Sequence, residues 1–80
     1  MLRTQTERDI VRLKYVEGVR SKADIARRLG VNRRTVSRAV KQFASDLHVA
    51  GIDPRQLARG ELSAYVQRAI DRAEKLDSAA

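Results

Sequence analysis

The sequence predicts an all-α fold, with a trihelical core in residues 1–46 and a C-terminal helical segment in residues 47–80. Three observations lead to this prediction. Apolar residues recur at intervals of three and four, which is the period of one helix face. Glycines at positions 18, 30, 51 and 60 separate four such stretches, and the single proline lies outside them. No stretch has the two-residue alternation of a strand.

The first two helices have recognisable ends. The first is expected to begin after Thr4, because Thr4 and Glu7 have the spacing of a capping box, and to end near Gly18. The second is expected to follow Ser21 as its N-cap and to stop at Gly30, which adopts the left-handed conformation at little cost. The apolar face of this second helix is formed by Ile25, Ala26 and Leu29.

The third helix is expected to follow Asn32, a good N-cap, and to bury a stripe on one side. Its end is predicted either near Ser45 or close to Gly51, since the pattern allows both. The stripe consists of Val36, Ala39, Val40, Phe43 and, in the longer version, Leu47.

The C-terminal segment is expected to contain one short turn and one helix. Asp53 and Pro54 have the pattern of a cap and a first helical residue, which predicts a turn through Arg59 that Gly60 ends. The last helix is then expected over residues 61–75.

The charge is concentrated in one part of the chain. Lys and Arg number 17 and Asp and Glu number 10, so the net charge is +7. Residues 20–41 alone contain eight basic side chains and one acid, Asp24, whereas residues 47–80 are neutral. Such a patch favours a polyanionic partner through counterion release. The alternative is a basic helix face that is merely solvated.

The composition excludes several classes of protein. There is no cysteine and a single histidine, His48, so the chain offers no metal site, no cofactor site and almost nothing for catalysis. We therefore expect a protein that is not an enzyme. No apolar run approaches the length of a membrane span, and the first ten residues lack the apolar core of a secretion signal. A cytoplasmic, nucleoid-associated protein without membrane contact is expected.

Residues 21–43, SKADIARRLGVNRRTVSRAVKQF, have the spacing that a helix-turn-helix motif requires. Ala26 allows the two helices to approach, Gly30 reverses the chain, and Val31 fills the turn. The stretch resembles the helix-turn-helix family of bacterial and phage DNA-binding proteins, above all the trihelical kind of small transcriptional regulators and of invertase and transposase DNA-binding domains. The resemblance covers about residues 6–44 and implies that residues 33–43 are the recognition helix.

This resemblance implies roles for the exposed basic residues. In the family the N-terminal part of the third helix enters the major groove of double-stranded DNA, and arginine is the commonest reader of guanine. The expected base-reading residues are Arg33, Arg34, Ser37 and Arg38. The expected phosphate contacts are Arg20, Lys22, Arg27, Arg28, Asn32, Thr35 and Lys41.

The last helix has a second apolar stripe, which is expected to pair two copies of the chain. Its members are Leu62, Tyr65, Val66, Ala69, Ile70, Ala73 and Leu76. The alternative is that the stripe packs on the helix-turn-helix core, and both arrangements can hold at once.

The resulting hypothesis is a sequence-specific double-stranded DNA-binding protein, a homodimeric transcriptional regulator that acts as a repressor and needs no small-molecule effector. One alternative is a DNA-recognition subunit of a phage packaging terminase, a recombinase or a transposase. Another is a protein-interaction module that uses the same fold without nucleic acid.

Overall fold

A computed structural model describes residues 4–79. Helix α1 spans Gln5–Val11 and continues as a π-helical segment over Arg12–Val16. It is followed by α2 at Lys22–Leu29, α3 at Arg33–Val49 and α4 at Arg59–Ala79. The described residues contain no strand, so the predicted all-α fold with a C-terminal helix is confirmed.

The side chains expected to cap the first three helices do so. The hydroxyl of Thr4 accepts a hydrogen bond from the backbone N–H three residues later, at 3.1 Å, and that of Ser21 does the same at 3.3 Å. Asn32 Oδ1 accepts from the backbone N–H two residues later at 2.8 Å. Each cap satisfies a donor that the helix itself leaves unpaired.

The turn between α2 and α3 depends on Gly30, whose φ is +66°. The N–H groups of Gly30 and Val31 both donate to the carbonyl of Ala26, the latter at 3.0 Å. This left-handed helix end lets the chain turn away from the axis of α2 while the carbonyl of Ala26 stays paired.

The first core cluster joins α1, α2 and the N-terminal half of α3. Its buried members are Ile10, Ile25, Ala26, Val36 and Ala39. Val31 packs against the same cluster from the turn, as the spacing predicts. The cluster fixes the position of α3 on the two helices that precede it.

The second core cluster joins the end of α1 and the C-terminal half of α3 to α4. Its buried members are Val11, Phe43, Leu47, Val66 and Ile70. Tyr15 packs at its edge, with its ring 5.3 Å from that of Phe43, and burial raises the pKa of the Tyr15 hydroxyl above its ordinary value. The structure therefore shows that α4 packs on the core.

The end of α3 settles an option that the sequence left open. The start of α4 differs from the sequence prediction. Helix α3 continues to Val49, the longer of the two options, and so runs across the boundary expected at residue 46. Helix α4 begins at Arg59, so Gly60 lies in its first turn rather than ending the preceding one; the N–H groups of Glu61 and Leu62 donate to the carbonyl of Ala58. Residues 54–56 form only a turn.

Helix α4 also extends past the predicted end at residue 75, to Ala79, because its last turns are paired with α1. Arg8 Nη2 lies 2.7 Å from Asp77 Oδ2, and Arg12 Nη2 lies 3.1 Å from Glu74 Oε1. The Arg8 side chain is only 6% exposed, and its Nε and Nη1 groups have no hydrogen-bond partner in the described part of the chain. Burying these donors has a cost that the ion pair only partly offsets.

We expect Gly30→Ala to destabilise the protein by about 1–2 kcal/mol, because an alanine at this φ is strained. A Cβ at Gly30 would meet no atom within 4 Å, so the effect would be conformational rather than steric. The measurement is the free energy of unfolding from urea titration followed by circular dichroism.

Gly60→Ala is the matched control. A Cβ at Gly60 would also meet no atom within 4 Å, but Gly60 lies in a helix and has no positive φ. The alanine is therefore expected to stabilise the protein by up to about 1 kcal/mol. Equal effects of the two substitutions would contradict the assignment of the turn.

Candidate nucleic-acid interface

The N-terminal half of α3 has one buried and one exposed face. Val36 is fully buried and Ala39 is 8% exposed, and both pack on α1 and α2. Because a helix turns by 100° per residue, side chains at positions 34, 38 and 41 lie on the opposite face. The packing of the buried face therefore determines which side chains point away from the protein.

Arg34 and Arg38 lie opposite the buried Val36, whereas Arg33 lies only about 60° and Ser37 about 100° around the helix from Val36. Arg33, Arg34 and Arg38 are exposed and Ser37 is half-buried. Among the described residues, none of these four side chains has a hydrogen bond or an ion pair. Their donors are available to an external partner.

Four of the residues expected at phosphates are exposed and make no ion pair with any described residue: Arg20, Lys22, Arg28 and Lys41. Together with the arginines of α3 they give residues 20–41 a high density of positive charge. The N-terminus of α3 adds the partial positive charge of its dipole.

The other three residues expected at phosphates are exposed but differ in what they can offer. Arg27 forms an ion pair with Asp24 one turn earlier on α2, which neutralises part of its charge. The Oδ1 atom of Asn32 is used as the cap of α3, so only its amide N–H groups remain as side-chain donors. Thr35 lines an open groove of about 850 Å³ between α1 and α3.

Sequence reasoning missed two positions on the exposed face and one groove. Ser45 and His48 continue the row formed by positions 34, 38 and 41, and both are exposed. The spacing of three and four continues to these two positions, but the predicted recognition helix ended at residue 43 and therefore excluded them. The groove between α1 and α3 is lined by Thr4 and Thr6 as well as by Arg38 and Lys41.

Two basic residues of the first helix point elsewhere. Arg8 and Arg12 add to the basic excess of the N-terminal half of the sequence, but their guanidinium groups are paired with Asp77 and Glu74 of α4. In residues 4–46, the basic side chains that are exposed and have no ion pair therefore lie on α2, α3 and the link that precedes α2.

The expected dimerisation stripe is divided by the structure. Val66 and Ile70 are fully buried inside the protomer, so their side chains cannot form the surface that meets a second copy, and Leu62 packs at the edge of the same cluster. The other members line an open groove beside α3: Tyr65, Ala69, Ala73 and Leu76.

Residues 4–79 include no group of three or more histidine, cysteine, aspartate or glutamate side chains placed to hold a metal ion. None of the helices in that range combines the length and the apolar character needed to cross a membrane.

The three-helix arrangement, the glycine turn and the exposed basic third helix define a helix-turn-helix DNA-binding protein. A family model described as a homeodomain-like domain matches residues 2–51, more than half of the chain, and the chain belongs to this family. DNA is therefore its partner. No curated protein and no solved structure matches the chain significantly.

Exposed unpaired basic residues and basic residues paired with α4 are predicted to contribute differently to the salt dependence of DNA binding. Arg28→Ala is expected to reduce the slope of log K against log salt by about 0.9, because one phosphate contact is lost. Arg12→Ala is expected to leave that slope unchanged, since Arg12 is paired with Glu74 at 3.1 Å. Fluorescence anisotropy with a labelled duplex between 50 and 200 mM salt measures both slopes.

Circular dichroism at the binding temperature controls for partial unfolding of the Arg12 variant. If Arg12→Ala reduced the slope as much as Arg28→Ala, the first helix would contribute to the DNA contact and the positive surface would be larger than the structure indicates.

Proposed function

We propose that the protein is a sequence-specific double-stranded DNA-binding protein that reads the major groove with the N-terminal half of α3. We further propose that it is a homodimeric transcriptional regulator of bacterial or phage type, acting as a repressor by occupying its operator. DNA binding follows from the family; the sequence specificity, the dimer and the regulatory role are the proposal.

The observation that supports sequence reading is the state of Arg34 and Arg38. Both guanidinium groups are exposed and have no partner in the described structure, while Val36 between them is fully buried. A side chain whose backbone is held by a packed core enters the groove in a defined register. Two arginines one helical turn apart can each donate two hydrogen bonds to a guanine, at the O6 and N7 atoms.

The surrounding residues support a division between residues that position the protein by contacting phosphates and residues that read bases. Lys22 and Arg28 on α2 and Lys41 on α3 flank the reading residues and are free to contact phosphates. Such contacts fix the register of the protein on the duplex but do not distinguish one base from another. The amide of Asn32 and the hydroxyl of Thr35 are further phosphate donors at the positive end of α3.

A repressor role is supported by the size and chemistry of the site. One recognition helix covers only a few base pairs, so pairing of two copies is needed to define a unique operator. Occupying that operator excludes polymerase without any chemistry at the protein surface.

The test compares Arg34→Ala, Arg38→Ala and Lys41→Ala. Each arginine substitution is expected to cost about 1–3 kcal/mol on the preferred sequence and to relax the preference at one base position. Lys41→Ala is expected to weaken binding to all sequences alike. Selection of bound duplexes from a random pool, followed by anisotropy on the selected and scrambled sites, gives both quantities.

Arg68→Ala, at an exposed arginine of α4 outside the α2–α3 unit, is the matched control. Equal losses on selected and scrambled DNA by both arginine variants would show that no base is read. A selected motif without two-fold symmetry, bound by a ring of subunits, would favour a packaging or recombination subunit over a regulator.

A further inference from the structure

An apolar groove of about 350 Å³ runs between the C-terminal half of α3 and α4. Its walls include Phe43 and Leu47 from α3 and Tyr65 from α4. The two exposed large hydrophobic side chains of the described chain both line this groove, Val49 at 83% and Leu76 at 66% exposure. A single exposed aliphatic residue needs no explanation, but two on the same apolar groove indicate a contact surface.

We propose that this groove is where a second copy of the chain docks, with a two-fold axis close to Val49. The inference rests on the proposed dimeric DNA-binding function and assigns its partner surface. It keeps Tyr65, Ala69, Ala73 and Leu76 of the stripe expected from the sequence but not Val66 and Ile70, which are fully buried in the protomer.

The charges beside the groove are self-complementary. Asp46 lines it from α3 and Arg72 lines it from α4. In a two-fold interface the same patch meets itself, so Asp46 of each copy can face Arg72 of the other, and both pairs form together. Gln42 donates a hydrogen bond to Asp46 Oδ1 at 3.2 Å within α3, which restricts the carboxylate without removing its charge.

The same charges argue against DNA as the occupant. The groove has one acid and one base beside an apolar floor, so it lacks the excess of positive charge that residues 20–41 provide. A second copy offers a matching acid, a matching base and a matching pair of aliphatic side chains.

The length of α3 gives a second, independent argument. The helix is continuous from Arg33 to Val49, so Ser37 in the reading half lies about 18 Å along the axis from Val49. An axis at the Val49 end, with the two α3 helices running tail to tail, separates the two reading segments by about 35 Å. This is the distance between successive major grooves on one face of the duplex, about 34–36 Å.

The first experiment measures the mass of the full chain by sedimentation velocity across micromolar concentrations. The variant with both Val49→Glu and Leu76→Glu is expected to sediment as a monomer where the unchanged chain is a dimer, because four carboxylates would meet in the interface. Both positions are exposed, so the fold is expected to persist, and circular dichroism checks this. Ala64→Glu, an exposed position on the other side of α4, is the matched control and is expected to remain dimeric.

The second experiment exchanges the charges. Asp46→Arg alone and Arg72→Asp alone are each expected to raise the dimer dissociation constant by about tenfold, because like charges then face each other. The chain with both substitutions is expected to return close to the original value. Failure of the double exchange to restore the dimer would overturn the assigned pairing.

Measurements of DNA binding distinguish a failure of this docking surface from a failure of the proposed function. The Val49→Glu and Leu76→Glu variant is expected to bind a single half-site as well as the unchanged chain does, and to lose its preference for two half-sites one helical turn apart. A monomeric unchanged chain, a ring, or a variant that stays dimeric would overturn the docking surface. A dimer that binds no preferred sequence would leave the docking surface intact and overturn the proposed function.

Discussion

The burial of one face of α3 against α1 and α2 is the constraint on which the rest of the molecule depends. Helix α2 has eight residues and is too short to persist alone in water, so it exists because Ile25 and Ala26 pack on its neighbours. Each fully buried large aliphatic side chain contributes about 1.5–3 kcal/mol. A domain of this size has only about 5–15 kcal/mol of net stability. The same few contacts that hold the fold together therefore also hold the orientation of the arginines.

Helix α4 extends this core and makes α3 common to two clusters. Val36 and Ala39 belong to the first cluster, whereas Phe43 and Leu47 belong to the second. A chain of this length buries only about 60% of its unfolded surface, so the added cover contributes substantially to stability. Helix α3 is therefore a single continuous helix that packs in both clusters. Arg8 is buried beside Asp77 with two donor groups unpaired, which reduces what this contact contributes to stability.

Local signals predicted the local features, and features that depend on long-range contacts were missed. Thr4, Ser21 and Asn32 cap their helices as predicted because a cap involves only the next two or three residues. The C-terminal end of α4 depends on pairing with Arg8 and Arg12, which no local pattern reveals. The stripe on the last helix showed a periodic apolar face, but periodicity does not say what covers it; the structure shows that Val66 and Ile70 are covered by α1 and α3. Arg33, Arg34 and Arg38 are exposed and Ser37 is half-buried. Their contacts with DNA bases, which the family resemblance implies, remain a prediction.

The neutralisation of Arg8 and Arg12 by α4 has a consequence for how the molecule meets its partner. With those two guanidinium groups matched by carboxylates, the excess of positive charge lies in residues 20–41. The field of a duplex acts on this local excess before any contact forms. Molecules that arrive already turned towards the DNA waste fewer collisions, so the encounter rate itself becomes sensitive to ionic strength.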